Sequence, residues 1–388
     1  MAVMIFTERT ARLNRIFTAL FCFTLAAGFS YAEDGFKISG EIKTGLFWYQ
    51  KRIGDADATS EGYIHNAEDD TESQKIINPG NRSQGRFRLN MQYDRGIIGM
   101  KTRFQQTEWR DTSMPKWDYA FAYGNFINEQ LEISIGKLGD SPWAAGGPEM
   151  WHELDTRIGI RFVIKPGILP GFNIGFVLND MNGQPTQSGT TQTVGSTLQE
   201  SVLGLGYINN FFMVRMAYRL DSPDDWEAGD EFLYRIEEKI IQQYLSGFQI
   251  WANGYWEGLR TSRKEDVSGM NWLYAQYAPE WFTAQLRLGL DVVANRRTFY
   301  IRPGFYYNLF NNIVKIGAAF EYAQDFGDGK LYKDSKYLRW FVEPQIRVNL
   351  NNNAYISLVY QARNQYTEAG KDVVTKMQFI NLRSVFTF

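Results

Sequence analysis

Arg86 to Asp94 reads RFRLNMQYD, and its polarity changes at every residue. Phe87, Leu89, Met91 and Tyr93 fall on one side of an extended chain, and Arg86, Arg88, Asn90 and Gln92 on the other. Only a β-strand puts alternate residues on one face. The pattern recurs in WFTAQLRLGLDVV, TRIGIRFVIK, LRWFVEPQIRVNL and IVKIGAAFEY, sustained over about ten residues each time. Strands are expected near 36–50, 84–94, 96–109, 117–126, 131–138, 156–165, 171–179, 199–208, 211–220, 231–241, 246–257, 269–277, 281–292, 297–308, 312–322, 337–349, 353–362 and 373–388. The segment 231–241 is the weakest of these. Glu238 lands on its apolar face, so a short helix is the competing reading.

The connections sort into two alternating kinds. DRG at 94–96, INEQ at 127–130, PGILPG at 166–171, NN at 209–210, APE at 278–280, FNN at 310–312 and NNN at 351–353 are tight. The segments 51–83, 110–116, 139–155, 180–198, 221–230, 258–268, 293–296, 323–336 and 363–372 are longer and polar. Short turns at one end and long loops at the other mark a transmembrane antiparallel up-and-down β-barrel, here of 18 strands, or 16 if weak segments fail. A soluble all-β sandwich would show the same alternation with its apolar face inward. Strand length, loop asymmetry and aromatic residues near strand ends argue for the barrel. Trp48, Trp109, Trp117, Trp256, Trp281, Tyr93, Tyr207 and Tyr307 would form belts at the two membrane surfaces. Mean hydropathy is only −0.36, because averaging hides the alternation. After residue 32 no stretch approaches the ~18 apolar residues of a membrane helix.

Residues 1–32 read as a signal peptide, leaving 33–388 as a single barrel domain. Arg9, Arg12 and Arg15 precede the apolar run IFTALFCFTLAAGF, and Ser30-Tyr31-Ala32 supplies small residues at the cleavage positions. The only cysteine, Cys22, lies inside this leader, with bulky Phe21 before it where lipid attachment needs a small residue. The remaining chain would hold together without disulfides. The formal net charge is −2, and removing the arginine-rich leader makes the rest more acidic, which excludes nucleic acid as a partner.

In a closed barrel the last strand must pair with the first. The segment ending SVFTF places Phe388, Phe386, Leu382 and Ile380 on one face. It resembles the terminal signal of Gram-negative outer-membrane proteins, which the barrel-assembly machinery reads. The whole architecture resembles the 16–18-stranded porins, general or substrate-specific. The resemblance implies residence in the outer membrane with both chain ends periplasmic. It implies outer-membrane lipid, the assembly machinery and small hydrophilic solutes as partners, with no cofactor. A homotrimer is compatible with it, since one lipid-facing wall reads much like another.

If the apolar set faces lipid, the alternate set lines an interior too wide for side chains to fill, which therefore holds water. Its ionisable members are mostly basic: Arg86, Arg88, Lys101, Arg103, Arg157, Arg161, Arg215, Arg219, Arg287, Arg302, Arg339 and Arg347. Such a tube would pass small solutes by diffusion with a mild anion preference. The third long loop, GDSPWAAGGPEMWHELD at 139–155, follows a strand similar to the one after which the loop of general porins folds inward. That likeness makes Asp140, Trp143, Glu149, Trp151, Glu153 and Asp155 constriction residues, with Trp143 and Trp151 pinning the loop to the wall. Pro142 and Pro148 would stiffen it, and Gly146-Gly147 would let it bend.

Three further readings compete. A sugar-specific channel would use the inner-face aromatics Tyr49, Trp251, Tyr255, Tyr300, Tyr306 and Phe341. A hydrolase needs a histidine base, and His65 and His152, both in loops, have no Asp/Ser partners in a defensible arrangement. An adhesin role for 51–83 and 180–198 is compatible with a channel. The carboxylate-rich loops lack the ligand spacing of a calcium site and read as solvated.

Overall fold

The computed structural model describes residues 35–53, 59–63, 86–106, 116–146, 151–179, 201–220, 230–259, 267–293, 296–326, 337–367 and 374–388. The leader, with Cys22, lies outside them. So do Glu149, Pro148, Gly147, His65, Trp109 and the loop 180–198.

Eighteen strands make the wall: β1 (Phe36–Ile53), β2 (Arg86–Asp94), β3 (Ile98–Gln106), β4 (Lys116–Phe126), β5 (Leu131–Lys137), β6 (Ile158–Ile164), β7 (Phe172–Asn179), β8 (Val202–Ile208) and β9 (Phe212–Arg219), followed by β10 (Glu231–Glu238), β11 (Phe248–Glu257), β12 (Ser268–Tyr277), β13 (Phe282–Val293), β14 (Arg296–Leu309), β15 (Val314–Phe326), β16 (Tyr337–Asn351), β17 (Ala354–Thr367) and β18 (Val374–Thr387). Each pairs antiparallel with its chain neighbours. The ring closes where β1 meets β18, from Glu41↔Thr387 to Ile53↔Thr375. On its other side β1 pairs with β2, from Phe36↔Tyr93 to Lys43↔Arg86. The two ladders use different stretches of β1, which is the stagger that a tilted, closed barrel requires. Two short ribbons are additional: Thr59–Tyr63, which continues β1 as a hairpin, and a pair inside the third long loop.

The alternation survives as two surfaces. On β13, Leu286 and Leu290 are exposed to the outside while Arg287 is only 8% exposed on the inside. Phe299, Phe305, Phe320, Val342, Ile346, Leu358 and Leu382 continue the outer apolar face. At the short-turn end, Trp281, Phe282, Phe305 and Tyr307 pack as one outer aromatic cluster, with Trp281 and Phe282 4.3 Å apart. Outside a barrel, exposed leucines and phenylalanines are stable only against lipid.

Two local expectations are refined. The weak segment is a strand to Glu238, then a helix α1 at Ile240–Tyr244. The Glu238 carboxylate accepts the N–H of Ile241, in the first turn of that helix, at 2.5 Å. The expected polar loop at 293–296 is a tight connection, since β13 runs to Val293 and β14 begins at Arg296.

Candidate functional site

The inner face divides into two sectors. From β4 to β11 it carries an apolar patch covered by the third long loop, along with the cross-strand pair Arg215↔Arg235 on β9 and β10. Tyr119 and Phe121 on β4, Val163 on β6, Val177 on β7, Val202 on β8, Ala217 on β9 and Leu233 on β10 form one buried cluster with Leu138, just ahead of the third long loop, and three residues of that loop: Trp143, Ala145 and Leu154. The loop therefore lies inside the barrel against this wall. Its ribbon, Ala145–Gly146 paired with Trp151–His152, rests on β10 and β11.

The loop is held at both ends and in the middle. Arg161 on β6 is 2% exposed and donates through Nη1 to the Gly139 carbonyl at 3.1 Å and to Asp155 Oδ2 at 2.9 Å. One guanidinium thus ties the first residue of the loop to its last. Its Nη2 stands 3.9 Å from Glu132, and its plane covers the Phe121 ring. Lys101 on β3 reaches Asp140 at 2.7 Å. Between these ties, Ser141-Pro142-Trp143-Ala144 makes a tight turn, with the Ala144 N–H donating to the Ser141 carbonyl at 3.2 Å. The turn drives the fully buried Trp143 into the wall, where its Nε1–H donates to Asn173 Oδ1 at 2.7 Å.

From β12 round to β3 the wall is polar and strongly cationic. Arg287, Arg302, Arg339, Arg347, Arg363 and Arg383 share the inner face of β13–β18 with Glu321 and Glu343. Arg302 Nη2 donates to Glu343 Oε1 at 3.0 Å, Gln361 Nε2 to Glu343 Oε2 at 2.5 Å, and Arg339 pairs with Glu321. The guanidinium carbons sit over rings: Arg339 over Tyr300 at 5.0 Å from the ring centre, Arg302 and Arg363 over Phe341 at 4.9 and 5.6 Å, and Arg347 over Tyr355 at 3.7 Å. Across the seam, Arg86 holds Glu41 through Nε at 2.8 Å, and Arg103 bonds Asn90 and Asp118 at 2.8 and 3.3 Å. Arg88 bonds Gln105 at 3.0 Å.

On the described inner face, register pairs put like charges opposite one another at Arg215↔Arg235, Arg287↔Arg302, Lys315↔Arg347 and Lys43↔Arg86. Directly opposed like charges destabilise a sheet by up to ~1 kcal/mol each. Beside the second pair, a recess of about 130 Å³ is lined by Arg287, Arg302, Arg383, Tyr306, Asn381 and Glu343.

Of the residues singled out from sequence, Asp155 faces Arg161 and not the opposite wall, because the clasp at the loop base consumes its charge. Arg157 stands one residue ahead of β6 with its side chain exposed. Arg219 pairs with Glu231. Glu149 is outside the described residues, and Trp151 and His152 are described in backbone only. Trp251, Tyr255, Tyr300, Tyr306 and Phe341 lie on the inner face, with Trp251 packed at a tilt on Tyr274, ring centres 4.0 Å apart. Two inner-face arginines were missed. Arg363 follows the expected end of its strand by one residue, yet it continues the parity of Ser357, Val359 and Gln361. Arg235 sits on the weak segment. Among the described residues, no three His, Cys, Asp or Glu side chains gather as a metal site.

No protein-family model matches this sequence, and no curated protein matches it. The solved structures do. Pseudomonas aeruginosa OccK2 (OpdF) in complex with glucuronate superposes with a TM-score of 0.52 at 10% identity, over 91% of this chain and 98% of that one. Pseudomonas aeruginosa OccK10 (OpdN) superposes with a TM-score of 0.52 at 11% identity, over 92% and 99%. The fold is the closed 18-stranded barrel seen in these outer-membrane proteins, and at such identities the likeness extends to the fold alone.

Proposed function

We propose that this barrel is an outer-membrane channel through which small hydrophilic solutes diffuse, with a preference for anions. The observation that carries the reading is the set of cross-strand cation pairs on the inner face. A wall selected for stability alone would alternate charge across each ladder. Opposed guanidiniums are tolerated where water and mobile anions screen them, and they raise the local anion concentration. The short turns then face the periplasm with both chain ends, and the last strand, through Phe388, is the segment the assembly machinery reads. The apolar loop sector narrows the passage from one side while the basic sector faces it from the other. In this reading the chain performs no catalysis.

A second reading has its own support. Rings on the inner face pack on one another and under guanidiniums, as in Trp251–Tyr274 and Trp272–Tyr300, 5.5 Å apart. That surface suits a solute with both a flat apolar face and a carboxylate. One of the similar structures is a complex with glucuronate, a sugar acid. Planar-bilayer recordings test both readings. Reversal potentials in a salt gradient should show anion preference, and a cation-preferring channel would overturn the first. Block by millimolar glucuronate but not glucose would favour the specific channel.

A further inference from the structure

The inner wall under the loop carries a run of glycines among its apolar side chains. Gly136 and Gly159 are register partners on β5 and β6, and Gly175 and Gly204 are partners on β7 and β8, with Gly206 two residues on. Interior glycine weakens a strand unless something must approach the backbone closely. Here that something is an indole. A Cβ at Gly204 would overlap the six-membered ring of Trp143, and one at Gly175 would overlap the Phe162 carbonyl and touch the indole at 3.0 Å. A Cβ at Gly206 would meet the Asn173 amide at 2.6 Å, and that amide accepts the Trp143 N–H. The three glycines therefore clear space for one side chain and for the group that hydrogen-bonds it.

We propose that Gly204, Gly175 and the Gly206–Asn173 pair form a socket for Trp143 that sets the bore of the channel. This inference rests on the channel reading above. Leu138, Ala145 and Leu154 are buried on either side of Trp143, so a seated indole holds these two arms of the loop against β6–β10. Unseating it pushes an apolar loop toward the basic wall and into the path of the solute. On this account the loop is a fixed lining of the passage and not a gate. Gly204 and Gly175, which touch no solute, act as positioning residues.

The test uses Gly204→Val, with Ala145→Cys as reporter in a Cys22→Ser background. Ala145 is fully buried, so a membrane-impermeant maleimide should leave the reporter unmodified in the otherwise native barrel. With Gly204→Val it should be modified, and single-channel conductance should fall by about half and become noisy as the constriction narrows. Adding Trp143→Ala removes the collision and should reverse both changes. Labelling that rises while conductance stays native would overturn the inference, as would a reporter that stays protected. Should Gly204→Val fail to give a heat-modifiable folded barrel, the smaller Gly204→Ala, whose Cβ already overlaps the indole, is read the same way: it must expose the reporter and disturb conductance. A native barrel that inserts and never conducts overturns the channel reading instead, and the labelling arm then decides the socket by itself.

Discussion

The sector from β4 to β11 and the sector from β12 round to β3 follow one rule of alternation and reach opposite ends. In the first, the inward residues include Val163, Val177, Val202, Ala217 and Leu233, and a loop folds over them to make a small dry core. Its buried charges are neutralised in place, as Arg161 is by Asp155. In the second, the inward residues are arginines layered on rings, with carboxylates too few to balance them. The first sector resembles the interior of a soluble protein and supplies rigidity. The second is a guanidinium-rich wall turned inward, its arginines packed closely among rings and carboxylates, and supplies the field. A barrel wall alone would give neither a defined bore nor a one-sided charge; the division of labour gives both.

Breaking the clasp should have the largest effect. Arg161→Ala leaves Asp155, 1% exposed, buried without its guanidinium, which should cost about 3–5 kcal/mol in urea unfolding of the barrel from lipid vesicles. A cost near zero would mean that the loop sector is wet, and the comparison would fail. Leu233→Ala removes a fully buried wall residue and should cost about 2–4 kcal/mol, with ion selectivity unchanged. On the other wall the pattern should reverse. Arg287→Gln relieves the opposition with Arg302, so stability should change by no more than about 1 kcal/mol in either direction, while the anion-to-cation permeability ratio from reversal potentials falls by about half. A stability loss as large as that of Arg161→Ala would make Arg287 structural. The smallest effect is one of conditions. Selectivity measured in 1 M salt, where the Debye length is about 3 Å, should be weaker than in 0.1 M, while the loop-sector variants keep their unfolding costs.

Much of this was legible in the sequence. All eighteen strands follow from period-two alternation, because lipid outside and water inside punish any slip of register on every strand at once. Arg363 escaped because Ala362 was taken as the last strand residue, although parity ran on through it. Glu238 misled because a carboxylate on the apolar face has two resolutions, and only the structure shows a strand ending at Glu238 whose carboxylate bonds the first turn of the helix that follows. The division of the inner face was harder to see. Asp155 in a loop looks like a charge for the opposite wall, and nothing local says that Arg161 takes it first. The socket had a signal: Gly136, Gly159, Gly175, Gly204 and Gly206 all fall at inward positions of adjacent strands. A patch of missing side chains asks for a visitor, and Trp143 in a proline-stiffened turn was the obvious one.

The wall is not of even height. Strands β5 to β10 are seven or eight residues long, and β13 to β18 are twelve to fifteen. At a tilt near 40°, seven residues rise only about 18 Å, less than the ~25 Å apolar band of an outer-membrane barrel. Acyl chains beside the loop-bearing flank must therefore compress, while those beside the arginine-bearing flank stand at full length. The elastic strain of that mismatch is relieved whenever a neighbouring protein replaces the squeezed lipid, so the flank that stiffens the passage is also the one along which crowding in the membrane is energetically downhill.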